Sequence, residues 1–359
     1  MEKTMSMMDY ILETDTLLQT LIHESQATFA PMLAFIKDMS IHQIYLLGSG
    51  TSCHAGWAVK SFLEEVLGKQ VIPMFPMIFA DQEKAMQPNS LIIGISQSGK
   101  SLSTMQALDY AREQGFKTIA IVGEPDSEME KHADHIVFMD CGVEKAVAKT
   151  KGYTATVLTL FLMGLEWAYA QGKIMEEQYL AWMEDLRETA LQIPAIIEES
   201  TKWYEKHQAA LIGCNRVIVV GSGHQYGTML EGALKLLECV RMAVSGYELE
   251  EFMHGVYNSI RKDTCLLYIA DGMEKQERMM RLCQYLKQVT PMNYLITNAK
   301  YADEEADLAV SAYNHARFNV LEYIIPFQVL SYRLAIDRGI DPTKPSDPKF
   351  HQNMQSKLV

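Results

Sequence analysis

The feature that most constrains this chain is that one pattern is written in it twice. Ile44-Tyr-Leu-Leu-Gly-Ser-Gly50 returns as Val217-Ile-Val-Val-Gly-Ser-Gly223, 173 positions later. Leu91–Ile95 corresponds in the same way to Cys265–Ile269, Thr118–Val122 to Asn293–Thr297, and Ala133-Asp134 to Ala306-Asp307. Four landmarks within two residues of one offset predict an internal duplication. The unit that is repeated is α/β. In the first copy the short apolar runs Ile44–Leu47, Leu91–Ile95, Thr118–Val122 and His135–Met139 are bounded by Gly, Ser or Asp and separated by helical patterns. Uninterrupted apolar strands alternating with helices build parallel sheets covered on both faces. Amphipathic segments at Tyr10–Lys37 and Tyr179–Gln208 precede and join the copies, and Asp341–Val359 is a polar, Pro-rich tail. The expected division is an N-terminal helix at 1–34, a first domain at 35–178, a linker helix at 179–208, a second domain at 209–340 and a tail at 341–359.

Composition narrows the partners. Of 359 residues 48% are hydrophobic, enough to bury two cores. The formal net charge of −13 argues against nucleic acid, whose binding is driven by Lys and Arg. It leaves room for a small anion, because converging backbone N–H groups outweigh a distant negative surface. Met1–Tyr10 lacks the basic and apolar regions of a secretion signal. The longest apolar run, Val157–Ala170, contains Glu166 and falls short of the roughly 20 residues of a membrane helix. It reads as a buried core helix. Six scattered cysteines without C-x-x-C spacing read as free thiols of a cytoplasmic protein. No metal-ligand cluster and no cofactor fingerprint is apparent.

The two copies diverge where chemistry would sit. After the Leu91–Ile95 strand comes Ser96-Gln97-Ser98-Gly99-Lys100-Ser101, where copy two has Ala270-Asp271-Gly272. A hydroxyl-rich turn that leaves a strand and enters a helix gathers hydroxyls, free N–H groups and the positive end of a helix dipole around an anion. The bland alternative is an ordinary helix cap with spare serines. Gly48-Ser49-Gly50-Thr51-Ser52 adds a second such turn after the first strand. Neither is a G-x-G-x-x-G or P-loop string, so ATP and NAD are not the expected ligands. In the second copy, Lys235 and Glu238 are three apart and share a helix face. Alone they read as a surface ion pair, and His254, next to Gly255, as a loop histidine.

Taken together these residues resemble the sugar isomerase (SIS) family, and within it the isomerase domain of glucosamine-6-phosphate synthase and the fructosamine-6-phosphate deglycases. The resemblance rests on Gly50-Thr51-Ser52, on Ser96-Gln97-Ser98-Gly99 with Ser101, on Glu144 with Val147–Lys151, on Leu230–Glu238, and on His254-Gly255 sixteen positions after Glu238. It implies two tandem SIS domains, each a parallel-sheet three-layer αβα sandwich of flavodoxin-like type. It further implies that Ser96, Gln97, Ser98 and Ser101 hold a 6-phosphate, that Thr51 and Ser52 contact phosphate or sugar, and that Val147, Lys149 and Thr150 line the sugar. Glu238, beside Lys235, would move the proton next to the carbonyl or imine. His254 would open the ring, reaching in from a neighbouring subunit of a homodimer that shares its active sites. The register of Lys357 against the family's C-terminal, substrate-contacting lysine is open. Lys149 stands where the synthase has a serine, which alters the charge beside the sugar.

The partner expected from this resemblance is a sugar 6-phosphate or its amine adduct, with neither nucleic acid nor membrane. With no glutaminase domain expected ahead of Met1, a deglycase that splits an amino-acid adduct of a sugar 6-phosphate is the first expectation. An aldose–ketose isomerase or an amino-sugar-6-phosphate deaminase is the second. A non-catalytic sugar-phosphate sensor is the third, for which neither Glu238 nor His254 would be needed.

Overall fold

The structure, a computed structural model, describes residues 5–272, 275–313 and 317–358; the first four residues of the N-terminal segment lie outside them. The chain forms two compact units. One comprises Thr16–Glu144, Lys151–Glu184 and the tail from Pro345; the other comprises the residues up to Asp15, Lys145–Thr150 and Asp185–Lys344. The tail therefore belongs with the first copy, and the hexapeptide Lys145–Thr150 with the second.

In the first unit β1 (Gln43–Leu47), β2 (Gln70–Met74), β3 (Ser90–Ser96), β4 (Lys117–Val122) and β5 (His135–Phe138) form one sheet in the order β2-β1-β3-β4-β5. Every pairing is parallel, with Leu47 opposite Met74 on one side and Gly94 on the other. β1 and β3 are buried at every position, as interior strands covered on both faces must be. The sequence reading missed β2, so Leu91–Ile95 is the third strand and not the second. The reason is physical: β2 is an edge strand whose burial alternates and which contains Pro73, tolerated there because an edge N–H needs no ladder partner. One core cluster joins Tyr45, Leu47, Ile92, Ala120 and Val122 of the strands to Met105, Leu108 and Ala111 of the helix Leu102–Glu113. The apolar run becomes the helix Lys151–Ala170, buried along nearly its whole length. Its Glu166 is hidden but satisfied, accepting from the Ser25 hydroxyl at 2.7 Å and the Tyr179 hydroxyl at 2.8 Å. Among the described residues no helix is long and apolar enough to cross a membrane.

In the second unit β6 (Arg216–Gly221), β7 (Ala243–Glu248), β8 (Thr264–Ala270), β9 (Asn293–Thr297) and β10 (Leu308–Ala309) form a parallel sheet in the order β10-β9-β8-β6-β7. Counted within each copy, the two orders are the same, so the duplication extends from landmarks to topology. The edge strand β7, half-exposed along most of its length, was again invisible as an apolar run. The segment expected as a linker lies in the longer helix Glu176–Gly213. All six cysteines are free and buried.

Both sheets share one consequence of this order. The first strand of each copy lies between the second and the third, so the chain leaves β1 and β3, and likewise β6 and β8, in opposite directions across the sheet. The crevice beyond the carboxyl ends at such a switch point is where open α/β sheets take their ligands.

Candidate functional site

The serine turn lies at the switch point of the first sheet. Ser96 is the buried last residue of β3, Gln97 and Ser98 are half-buried in the turn, and Ser101 caps the helix Leu102–Glu113. Ser101 makes no capping bond with its own side chain, so the first-turn N–H groups of that helix remain available to an anion. Gly99 makes the turn possible. Its φ is +61°, and a Cβ there would stand 2.3 Å from that of Ser127. The Gly99 N–H donates to the Ser96 carbonyl at 3.0 Å, and the Gly123 N–H to that of Gln97 at 2.8 Å. The Gln97 amide N–H reaches the Cys141 sulfur at 3.7 Å, whereas its Oε1, though buried, has no hydrogen-bond partner. Burial pushes the Cys141 thiol up to about 11, so this sulfur is a packing neighbour and not a nucleophile.

The neighbouring turn, between β1 and the helix Thr51–Leu67, delivers Thr51 and Ser52, both half-buried, at a second helix N-terminus. The two turns are linked by a hydroxyl chain that the sequence reading did not assign. Ser49 Oγ lies 3.1 Å from Ser103 Oγ, which lies 3.3 Å from Ser101 Oγ, which in turn accepts from the Thr104 hydroxyl at 3.0 Å. The available signal was the continuation of hydroxyls past Ser101 in Ser101-Leu-Ser-Thr104. Glu144 is buried and accepts from the Gly152 N–H at 3.0 Å. A side chain at 152 would crowd both Glu144 and Gln97, each within 3.3 Å of the position its Cβ would take.

The tail reaches the same turn. Lys357 forms an antiparallel bridge with Ser101, and the Leu358 N–H donates to the Lys100 carbonyl at 3.1 Å. A residue whose register the sequence left open is thus paired with a member of the serine turn. Of the other sugar-lining candidates, Val147 is exposed, Lys149 half-buried and Thr150 fully buried. They sit in the hexapeptide that packs with the second unit, where the Gln328 amide donates to the Thr150 carbonyl at 3.1 Å.

In the second unit Lys235 and Glu238 share a face of the helix Tyr226–Val240, at 2.6 Å. They are not a surface pair. Lys235 is 1% exposed, with the wholly buried Glu231 on its other side at 3.4 Å and about a third of the Glu238 side chain open to solvent. Burial acts to lower the Lys235 ammonium, but the Glu231 and Glu238 carboxylates beside it outweigh burial and hold it well above the usual lysine range. A permanently charged lysine therefore fixes one oxygen of Glu238 and leaves the carboxylate reachable. The three-residue spacing showed the shared face but not its burial, and so gave no reason to single out Glu231. His254 lies, exposed, just past the turn Leu249–Phe252; its N–H donates to the Glu251 carbonyl at 3.0 Å, and Gly255 at φ +127° redirects the chain.

The switch point of the second sheet is built differently. Asp271, which follows β8 as Gln97 follows β3, accepts from the Gln225 amide at 3.0 Å and the Asn319 amide at 3.1 Å, and lies 2.7 Å from His224 Nε2. A carboxylate replaces the hydroxyl cradle, in keeping with the divergence read in the sequence.

Comparison with known proteins adds a family. A model described as the SIS domain matches residues 39–164 and again 210–335. The glutamine–fructose-6-phosphate aminotransferase (isomerizing) of Caldanaerobacter subterraneus subsp. tengcongensis is 26% identical over 346 residues, or 92% of this chain and 55% of that protein. The chain spans about half the length of the curated relatives it matches. A crystal structure from Clostridium difficile 630, described provisionally as a phosphosugar isomerase, superposes with a TM-score of 0.92 at 30% identity over 99% of both chains. A provisionally described sugar binding protein from Salmonella typhimurium LT2 superposes with a TM-score of 0.84 at 31% identity, over 91% of this chain and 99% of its own.

Proposed function

Because the chain belongs to the SIS domain family, in two copies, we propose that it is an enzyme that binds a sugar 6-phosphate and moves protons on its open-chain form. The observation that carries this reading is the hydroxyl cradle of Ser96, Ser98, Ser101, Ser103 and Ser49 at two helix N-termini on the first sheet's switch point. Such a cradle suits a phosphate, whose binding energy then orients the reacting carbons. The buried Lys235 beside a partly open Glu238 supports chemistry over mere sensing, since a sensor has no use for a fixed, accessible carboxylate.

The finer reading is a deglycase acting on an amino-acid adduct of a hexose 6-phosphate. Lys149 supports it, because a cation in the segment expected to line the sugar would suit a substrate that carries a carboxylate. His254 would open the ring. Glu238 would take the proton from C1 of the ketoamine and return one to C2, leaving the imine of the aldose. Water adds to that imine, and the products are hexose 6-phosphate and the free amine. A homodimer in which His254 serves the neighbouring subunit completes the reading, and the tail residue Lys357 would contribute a cation beside Ser101.

Product analysis with fructoselysine 6-phosphate and glucosamine 6-phosphate tests this. Free lysine and hexose 6-phosphate are expected from the first, and Glu238→Gln should fall at least about 1,000-fold while still binding phosphosugar. Ammonia from glucosamine 6-phosphate instead would make the protein a deaminase. Binding of both without turnover would leave a simple isomerase or a sensor. Mixing Glu238→Gln with His254→Ala subunits should restore part of the activity if the two residues meet across a dimer, and none if they do not.

A further inference from the structure

Among the described residues the His254 imidazole makes no hydrogen bond or ion pair, so its direction depends on the turn that carries it. That turn is tied down by one helix. Glu248 caps it, its Oε2 accepting from the N–H groups of Glu250 at 2.6 Å and Glu251 at 3.2 Å. The helix Gln276–Leu286 and its cap residue Lys275 then reach across with two cations. Arg278 grips Glu250 with a two-pronged fork, Nε to Oε1 at 2.6 Å and Nη2 to Oε2 at 2.7 Å, and the same Nη2 touches the Met253 sulfur at 3.5 Å. Lys275 lies 3.3 Å from the other oxygen of Glu248. Arg278 thus holds the turn on both sides, four residues before His254 and one before it. Its own helix is anchored, since Met279, Cys283 and Leu286 pack in one core cluster with Leu249 and Phe252 of the turn.

We infer that Arg278 is a positioning residue for His254, its bidentate grip on Glu250 and contact with Met253 setting the direction in which the imidazole is presented. This rests on the reading of His254 as the group that opens the sugar ring. The fork geometry matters, because a planar guanidinium fixes a carboxylate in two directions and an ammonium in only one. The pair is not there for stability: Arg278 is 49% and Glu250 38% exposed at the side chain, and ion pairs so placed contribute little to folding. Without Arg278, Glu250 is also released to take a hydrogen bond from His254 and draw the ring back onto its own turn.

The experiment is steady-state kinetics of Arg278→Met, Arg278→Lys, the exchange pair Glu250→Arg with Arg278→Glu, and His254→Ala, on two substrates. One is the ring-closing adduct, fructoselysine 6-phosphate; the other is its 5-deoxy analogue, which has no hydroxyl with which to close a furanose. Arg278→Met should lower kcat on the first about tenfold with KM and Tm unchanged, Arg278→Lys should fall between it and the parent, and the exchange pair should recover at least half of the loss. On the 5-deoxy analogue every one of these variants should match the parent, an outcome that a general loss of folded protein would not give. Parental kcat in Arg278→Met, with His254→Ala inactive on the ring-closing substrate, would overturn the positioning role alone. Full activity of His254→Ala on both substrates would remove the ring-opening reading, and this inference with it.

Discussion

Lys235 is held where lysines are rarely found, fully buried between two carboxylates on its own helix. Removing one member of a buried charge group strands the others, typically at about 3–5 kcal/mol. With Glu238 partly solvated, Lys235→Met should cost about 3 kcal/mol in urea unfolding, and adding Glu231→Gln should recover part of it. A loss of less than about 0.5 kcal/mol would mean that the carboxylates do not depend on the ammonium. The pH dependence follows from the direction of the shift. A lysine raised on folding contributes fully below its ordinary value of about 10.5 and loses that contribution as pH climbs through the folded value. The share of the parent's stability that Lys235 supplies should therefore be steady in urea unfolding between pH 6 and 9 and decline only above about pH 10.5. The three-residue spacing of Lys235 and Glu238 was legible in the sequence. Their burial was not, because it is decided by elements far away in the chain, and that is why a surface pair was the fair reading of the spacing alone.

At the scale of elements, the interior strands were legible because both of their faces are covered and their sequences run uninterrupted in apolar residues. The edge strands β2 and β7 were not, since half-exposure breaks the run and Pro73 argues against a strand. The serine turn was legible for a related reason: a run of hydroxyls directly after an apolar strand has a fixed place at the sheet's carboxyl edge. What escaped was every contact made at long range, including Ser49 to Ser103 and the tail's return to Ser101. Gly99 tests how far the turn's shape governs binding. Gly99→Ala must accept a left-handed backbone, at about 1–3 kcal/mol, and also displace Ser127. Gly115→Ala is the control, for its φ of +83° carries a similar strain with nothing within 4 Å of the new methyl. Calorimetry with a hexose 6-phosphate should show at least a tenfold loss of affinity in Gly99→Ala and none in Gly115→Ala. Equal losses in the two would show that the turn's shape has no special part in phosphate binding.

For the whole molecule, duplication supplied two sheets of the same strand order and therefore two switch points, each a place where α/β proteins take ligands. Only one carries the features that suit an anion. In the first copy the turn beyond β3 offers hydroxyls and helix N-termini, and no acidic side chain interrupts Ser96–Ser101. In the second, the first residue beyond β8 is Asp271, 8% exposed and already the acceptor for the Gln225 and Asn319 amides. A phosphate arriving there would have to displace those amides from a carboxylate and then sit beside its charge with little water between, a costly arrangement. The net charge of −13 works the same way from a distance, so that affinity has to come from local donors and not from the general field. One phosphosugar per chain is the expected stoichiometry in a calorimetric titration, and the paired substitution of Ser98 and Ser101 by alanine should abolish it without leaving a residual site. A second equivalent that survives those substitutions would mean that the copies did not divide their roles, and that Asp271 accommodates an anion in a way its hydrogen bonds do not suggest.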